Sequence, residues 1–212
     1  MADTNKQFDE VTAKCRAIFV DKMSDYGPSW RIFRLHGITD QLYIKVCNIR
    51  QRQETGVSLV GDDIEGNLRA IINYGITAII QARHGYSDAI DMSADEATKL
   101  YDSVLAEAKE LMLRKNHDYG EAWREMSKEG IVDMILAKII RIKTILEHDG
   151  KTIASEGVEG NYFDIINYAI FDLIHYENSN HSYHRFVRAH AIGADILGLR
   201  LRQSRRPAGH GV

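Results

Sequence analysis

The residues of this chain that could do chemistry are concentrated in the stretch NYFDIINY. Asn161, Asp164, Asn167 and Tyr168 lie within about two helical turns of one another, and their spacing predicts that they share one face of a helix. A polar cluster on an otherwise apolar helix must either be hydrogen-bonded inside the core or hold a ligand. Of these two interpretations we favour the ligand.

A second group of residues could hold a phosphate. Lys138 and Arg141 are three positions apart in an isoleucine-rich segment, and Asp133 precedes them. An ammonium group and a guanidinium group on one helix face can bind phosphate oxygens by charge and by the guanidinium fork. The alternative interpretation is a solvated helix face.

The stretch KNHDYGEAW, residues 115–123, contains a His-Asp pair of the kind that ligates metal in some phosphohydrolases. No other histidine falls in an obvious partner position on an adjoining helix, so we interpret the pair as accidental. A second stretch, KMSDYGPSW at residues 22–30, repeats Lys, Asp, Tyr, Gly and Trp in the same register but has a serine in place of His117. Asp118 and Tyr119 are therefore better candidates for a functional role than His117.

Structural interpretations of the same residues stay open. Lys115 and Asp118 could form a surface ion pair on a last helical turn, which contributes only tenths of a kcal/mol. Trp123 is expected in the core, where it would pin the loop that follows the helix. Tyr26 and Tyr119 could instead stack on a nucleobase.

An internal duplication organises the chain. Asp118 lies 93 positions after Asp25, and at this offset lysines, tyrosines, glycines and tryptophans match repeatedly, Lys45 with Lys138 among them. One inserted residue then shifts the offset to 94, so that IEGNLRAIINYGI aligns with VEGNYFDIINYAI. The copies differ where Ala70 stands for Asp164 and Asn48 for Arg141. We predict two copies of one helical module.

Apolar periodicity and glycine stops predict an all-α fold. Each copy contains three predicted helices, which lie at residues 8–22, 38–53 and 64–84 and at residues 97–116, 131–147 and 158–177. We assign residues 1–87 to the first repeat, 88–180 to the second, and 181–212 to a C-terminal helix with a basic tail. Neither half should bury its apolar faces alone, so we expect one compact bundle with a pseudo-two-fold arrangement.

Charge and composition limit the partners. Residues 181–212 contain six arginines and one acid and therefore carry a charge of +5. Because the net charge of the whole chain is −3, the remaining residues carry −8. An acidic body argues against general nucleic-acid binding, except through the Arg-rich tail. No segment is apolar enough to predict a membrane span, and no signal peptide is recognisable, so we expect a cytoplasmic protein. A second copy of the chain, in a homodimer, is a further candidate partner.

The combination of these motifs resembles a family called nucleotide modification associated domain, type one. Its pattern K-x-x-D-Y-G-x-x-W, then Asp-x4-Lys, then D-x-x-N-Y corresponds here to residues 115–123, 133–138 and 164–168, and the first copy matches from Lys22 to Tyr74. The family is similar to the MazG-like all-α nucleotide pyrophosphohydrolases, whose acidic helices bind magnesium. One feature of those enzymes, an E-x-x-E motif in the second helix, does not occur here.

The resemblance implies a MazG-like bundle that binds a nucleotide between its two halves and hydrolyses it with Mg²⁺. We expect Asp164 and Asp118 to be catalytic, and we expect Mg²⁺ to be held by Asp164, Asp118 and Asp133. The substrate would contact Lys115, Tyr119, Lys138, Arg141, Asn167 and Tyr168, with Tyr26 and Lys45 forming a wall from the first copy. This arrangement predicts one competent site per chain, built mainly from the second copy. The alternative function is a non-catalytic nucleotide sensor or interaction module.

Overall fold

We describe the protein from a computed structural model, in residues 3–59, 61, 63–148, 150 and 157–179. Every regular element in these residues is helical, so the predicted all-α class is confirmed. Residues 1–175 form one compact unit. A second unit begins at Tyr176, and of it only residues 176–179, all helical, are described. The predicted C-terminal helix and basic tail at 181–212 lie outside the described residues.

In the described residues six helices follow one another, three in each copy. The helices are α1 (Thr4–Tyr26), α2 (Leu35–Thr55), α3 (Ile64–His84), α4 (Ala94–Tyr119), α5 (Lys128–Glu147) and α6 (158–179). A single 3-10 turn follows the first helix of each copy, at Ser29–Ile32 and Ala122–Glu125. The number and order of helices agree with the periodicity of the sequence. No helix in the described part of the chain is long and apolar enough to cross a membrane.

Several helix ends extend beyond the predicted ones because of capping residues. The side chain of Asp3 accepts a hydrogen bond from the backbone N–H of Lys6 and so begins α1 four residues earlier than the apolar pattern does. The glycine of each Asp-Tyr-Gly motif ends its helix with a positive φ, 66° at Gly27 and 61° at Gly120. A residue with a Cβ atom rarely adopts this conformation, so these glycines fix where α1 and α4 stop.

Matching hydrogen bonds support the structural equivalence of the two copies. The side-chain amide of Asn73 in α3 donates to the backbone carbonyl of Cys15 in α1 at 3.1 Å. Asn167, its counterpart in α6, donates to the carbonyl of Ala108 in α4 at 3.2 Å. Cys15 and Ala108 are themselves related by the offset of 93. The third helix of each copy is therefore tied to the first helix by the same bond.

Gln81 and His175, which occupy matching positions in the third helices, fasten the 3-10 turns through backbone carbonyls that differ by one position. The amide of Gln81 donates to the backbone carbonyl of Arg31 at 3.1 Å, and its side-chain oxygen accepts from the Arg31 guanidinium. In the second copy His175 Nε2 lies 3.1 Å from the carbonyl of Trp123. The ring of Trp123 is buried and stacks on Phe171 with ring centroids 4.4 Å apart. The expectation that the tryptophan belongs to the core is confirmed.

The two copies share one core. Helix α2 packs against α5, and α4 packs against both α1 and α3. The apolar α2 and α5 residues that are entirely buried are Ile38, Leu42, Val46, Ile49, Ile131, Val132, Ile135, Ile139 and Ile142. Full burial of one such side chain contributes about 1.5–3 kcal/mol, so the seam between the copies stabilises both of them. The predicted packing into one helical bundle is confirmed, and the repeat boundaries at residues 87 and 180 stay predictions.

Candidate functional site

Three helices of the second copy bring three of the predicted site residues together. Asp164 of α6 is nearly buried, with 7% of its side chain exposed. Lys115, in the last turns of α4, donates a hydrogen bond to the Oδ1 atom of Asp164. The Nζ atom of Lys138, in α5, lies 2.6 Å from the Oδ2 atom of Asp164. Both oxygens of the carboxylate are thus engaged by ammonium groups. We call Lys115, Asp164 and Lys138 the lysine-aspartate cluster.

The three acids predicted to hold Mg²⁺ do not come together. Asp118 is 70% exposed and lies beside His117 at 3.1 Å, whereas Asp133 is 64% exposed and lies 3.6 Å from Arg50. Among the described residues, no group of three or more His, Cys, Asp or Glu side chains could hold a metal ion. Mg²⁺ prefers several oxygen ligands, and the two ammonium groups beside Asp164 repel a cation. The described residues do not form a Mg²⁺ site on their own, so we derive no step through the metal, and Mg²⁺ stays a prediction.

The polar face of α6 is largely occupied by the fold itself. Asn161 donates to the carbonyl of Gly157 at 3.0 Å, as Asn67 donates to that of Asp63 in the first copy. The amide of Asn167 is bonded to α4, as described above. One N–H of each amide is satisfied within the helices, which favours the core interpretation of the asparagines over the ligand interpretation. The buried Oδ1 atom of Asn167 has no hydrogen-bond partner among the described residues.

The remaining predicted residues of the second copy lie at the surface or near it. Arg141 is exposed, and the Lys138 ammonium beside it is directed to Asp164, so the structure does not form the predicted phosphate clamp from this pair. Tyr119 is 71% exposed. Tyr168 is half-buried, and its pKa is raised first by burial and then by the charges of Asp164 and Tyr119.

An open pocket lies in the first copy, at the position equivalent to the lysine-aspartate cluster. Its volume is about 200 Å³. Residues of α1, α3 and the 3-10 turn line it. The apolar lining consists of Ile18, Phe19, Met23, Trp30, Phe33 and Ala70, and the polar lining includes Lys22, Tyr26, Arg69, Asn73, Tyr74 and Thr77. We call this cavity the first-copy pocket.

Positive charge and aromatic surface meet in the first-copy pocket. Among the described residues no carboxylate pairs with Lys22, while Arg69 lies 3.2 Å from Glu65. Tyr26 remains 53% exposed, and its pKa is raised by burial and secondarily by the neighbouring Tyr74. An uncompensated ammonium beside exposed aromatic rings can bind an anion that carries a flat ring.

Another concavity does not offer the same combination. A groove of about 410 Å³ at the end of α2 is lined by polar side chains such as Asn48, Gln51 and Arg52, and its described lining contains no aromatic residue. Lys45 is partly exposed on α2, and it is not part of the lining of the first-copy pocket. We therefore take the first-copy pocket as the candidate site.

The family model described as nucleotide modification associated domain 1 matches residues 22–82 and 115–176, which together exceed half of the chain. The chain belongs to the nucleotide modification associated domain 1 family. The two matched segments begin at Lys22 and Lys115, the first residues of the paired motifs, which agrees with a duplicated domain. Among the curated proteins and the solved structures, no significant match to the chain was found.

Of the residues that line the first-copy pocket, only Tyr26 was among the predicted site residues of this family member. Lys22 and Tyr74 had a signal in the sequence, because each has an identical counterpart in the second copy, Lys115 and Tyr168. Arg69 had no such signal, since Phe163 occupies the matching position. The sequence identified the repeated residues correctly, but it did not indicate which copy leaves an open space.

Proposed function

We propose that this chain binds a nucleotide in the first-copy pocket and does not hydrolyse it. The observation that carries the proposal is the combination of aromatic walls with a lysine that no described carboxylate neutralises. The proposal keeps the nucleotide predicted from the sequence. It moves the site from the second copy, where the lysines are paired with Asp164, to the first.

The aromatic lining supports recognition of a base. Tyr26 and Tyr74 come from different helices, α1 and α3, and both line the pocket. Stacking of a base on an aromatic side chain contributes about 1–3 kcal/mol. Trp30 also lines the pocket, but its buried indole N–H, like that of Trp123, has no hydrogen-bond partner among the described residues. Because both copies share this feature, we assign it to the repeat and not to the ligand.

The charged lining supports recognition of a phosphate. A volume of about 200 Å³ is smaller than the roughly 300–1,000 Å³ of pockets that enclose a drug-sized ligand. The pocket would therefore enclose only part of a nucleotide, and the phosphates would lie at the opening. Lys22 supplies a point charge there, whereas the guanidinium of Arg69 is already paired with Glu65. The chain outside residues 181–212 has a net negative charge, and these two cations are an exception to it.

Hydrolysis is the part of the prediction that the site supports least. Cleavage between phosphates by the mechanism expected from the resemblance needs a metal to polarise the phosphoryl oxygens and to activate water. The described residues contain no cluster of three or more His, Cys, Asp or Glu side chains that could hold such a metal. The non-catalytic alternative therefore fits the described residues better.

Isothermal titration calorimetry with ATP, GTP, CTP and UTP tests the proposal, and adenosine serves as a phosphate-free comparison. We expect at least one triphosphate to bind more tightly than its nucleoside. Tyr26→Ala should weaken that binding by at least about fivefold, as loss of one stacking partner worth about 1–3 kcal/mol implies. The matched control is Tyr119→Ala, which changes the equivalent tyrosine of the second copy and should leave the affinity unchanged.

The same samples decide the question of turnover. Release of phosphate and pyrophosphate is measured with and without Mg²⁺, and we expect none above the rate of a buffer blank. Magnesium-dependent release would support the pyrophosphohydrolase instead. A larger effect from Tyr119→Ala than from Tyr26→Ala would return the site to the second copy.

A further inference from the structure

Two of the three positions of the lysine-aspartate cluster have counterparts in the lining of the first-copy pocket, and Lys45, the counterpart of Lys138, does not line it. Lys115 of the cluster corresponds to Lys22 of the pocket, and Asp164 corresponds to Ala70. In the second copy the carboxylate bonds to both lysines of the cluster. In the first copy a methyl group takes the place of the carboxylate, and both Ala70 and Lys22 line open space.

The equivalence of these positions rests on bonds as well as on sequence. Asn73 and Asn167 each follow Ala70 or Asp164 by three residues, and each ties its helix to the carbonyl of matching residues in α1 and α4. The helices that carry Ala70 and Lys22 are therefore held together as the helices that carry Asp164 and Lys115 are. One difference between the two sites is the residue that accompanies the lysine, Ala70 in the first copy and Asp164 in the second.

We propose that Asp164 is a built-in substitute for the anionic group of the ligand. An oxyanion of the ligand, a phosphate group under the proposed function on which this inference rests, binds beside Lys22 and Ala70 in the first copy. In the second copy the carboxylate of Asp164 accepts the hydrogen bonds that such a group would accept. The second copy is thereby closed to ligand, and the chain has one site where its duplication suggests two.

Competition between Asp164 and an external phosphate for the same lysines explains why the second copy does not bind a ligand. A carboxylate and a phosphate both offer negatively charged oxygens to an ammonium group, which donates to either. Asp164 is held beside its lysines by the fold, so it competes as an intramolecular group, at an effective concentration that a free anion at micromolar levels does not match. An external phosphate would also meet the negative charge of Asp164 itself.

Exchanging the two residues tests this inference. Ala70→Asp gives the first copy the carboxylate of the second, and Ala70→Asn is the matched control, with nearly the same size and no charge. Asp164→Ala makes the opposite exchange, because it replaces the carboxylate of the second copy by the alanine of the first. Each protein is titrated with ATP by calorimetry, and its melting temperature is followed as inorganic phosphate is added.

We expect Ala70→Asp to bind ATP at least about tenfold more weakly than Ala70→Asn, because its carboxylate pairs with Lys22 and repels the phosphates. Asp164→Ala should bind two equivalents of ATP where the natural chain binds one. If Asp164→Ala does not fold, the comparison of the two Ala70 variants decides alone. Equal affinity of those two variants for ATP would overturn the inference.

The phosphate titration separates this inference from the proposed function. A natural chain that binds no nucleotide refutes the proposed function, and inorganic phosphate then tests the inference by itself. Phosphate should raise the melting temperature of the natural chain and of Ala70→Asn more than that of Ala70→Asp. The same response from all three proteins would show that no oxyanion occupies the space beside Ala70.

Discussion

A buried acid in α6 provides a sharp test of the physical description. Asp172 is completely buried, and neither of its carboxylate oxygens has a hydrogen-bond partner in the described structure. Burial raises the pKa of this carboxyl to about 7, with Lys128 lowering it and Glu129 raising it to smaller extents. The first copy has Ala78 at the matching position. We therefore expect replacement of Asp172 to stabilise the protein in a pH-dependent way.

The magnitude follows from the difference between the folded and unfolded pKa values. A carboxyl that titrates near 3.8 when unfolded and near 7 when folded is costly to ionise in the fold. At about 1.4 kcal/mol per pKa unit, this cost reaches roughly 4 kcal/mol above pH 7. The pKa of Asp172 is higher in the folded state than in the unfolded state. The contribution of its protonated form to the free energy of unfolding is therefore fully present below about pH 4 and is lost as the pH rises to about 7. Above pH 7 the contribution no longer changes.

Urea denaturation of the natural chain and of Asp172→Asn at pH 4 and pH 8 measures this effect. The free energy of unfolding of the variant, relative to the natural chain, should increase by up to about 4 kcal/mol between the two pH values. Asp172→Ala, which copies the first repeat, should show the same increase from a different starting difference, because it also removes the titrating group. A stability difference that does not change with pH would refute the reasoning.

Three further predictions concern the bundle. Gly75→Ala should lower the free energy of unfolding by about 1–3 kcal/mol, measured by denaturation, because its Cβ would lie 2.7 Å from a side-chain carbon of Ile166; an unchanged stability would contradict the close packing of α3 on α6. Asp164→Asn should lower the melting temperature, because it leaves two ammonium groups without their shared carboxylate; a higher melting temperature would contradict the structural role of the cluster. A chain ending at Ser87 should show no cooperative thermal transition, because α1 and α2 would lose α4 and α5, and a cooperative melt of this fragment would contradict the shared core.

The fold was predictable because the sequence contains the same helical module twice. Apolar spacing located the six helices, and the glycines of the Asp-Tyr-Gly motifs marked two of their ends. The early start of α1 was missed because it depends on a side-chain cap by Asp3 and not on apolar periodicity. Capping residues act through single hydrogen bonds, so a hydrophobic pattern does not report them.

The site was predictable only in part. The structure brings together Lys115, Lys138 and Asp164, which the sequence singled out, and their functional role stays a prediction. Their mutual neutralisation was missed, because helical spacing does not determine which side chains meet across three helices. Ala70 was interpreted as the absence of a functional group. In the structure that absence leaves room for a pocket.

The central claim is that a nucleotide occupies the first-copy pocket. A crystal structure of the natural chain with the tightest-binding of the four ribonucleoside triphosphates tests it most directly. We predict electron density for the base against Tyr26 and Tyr74 and for a phosphate within hydrogen-bonding distance of Lys22. Density for the nucleotide at Lys115 and Lys138, with the Asp164 carboxylate displaced or holding a metal ion, would contradict the account.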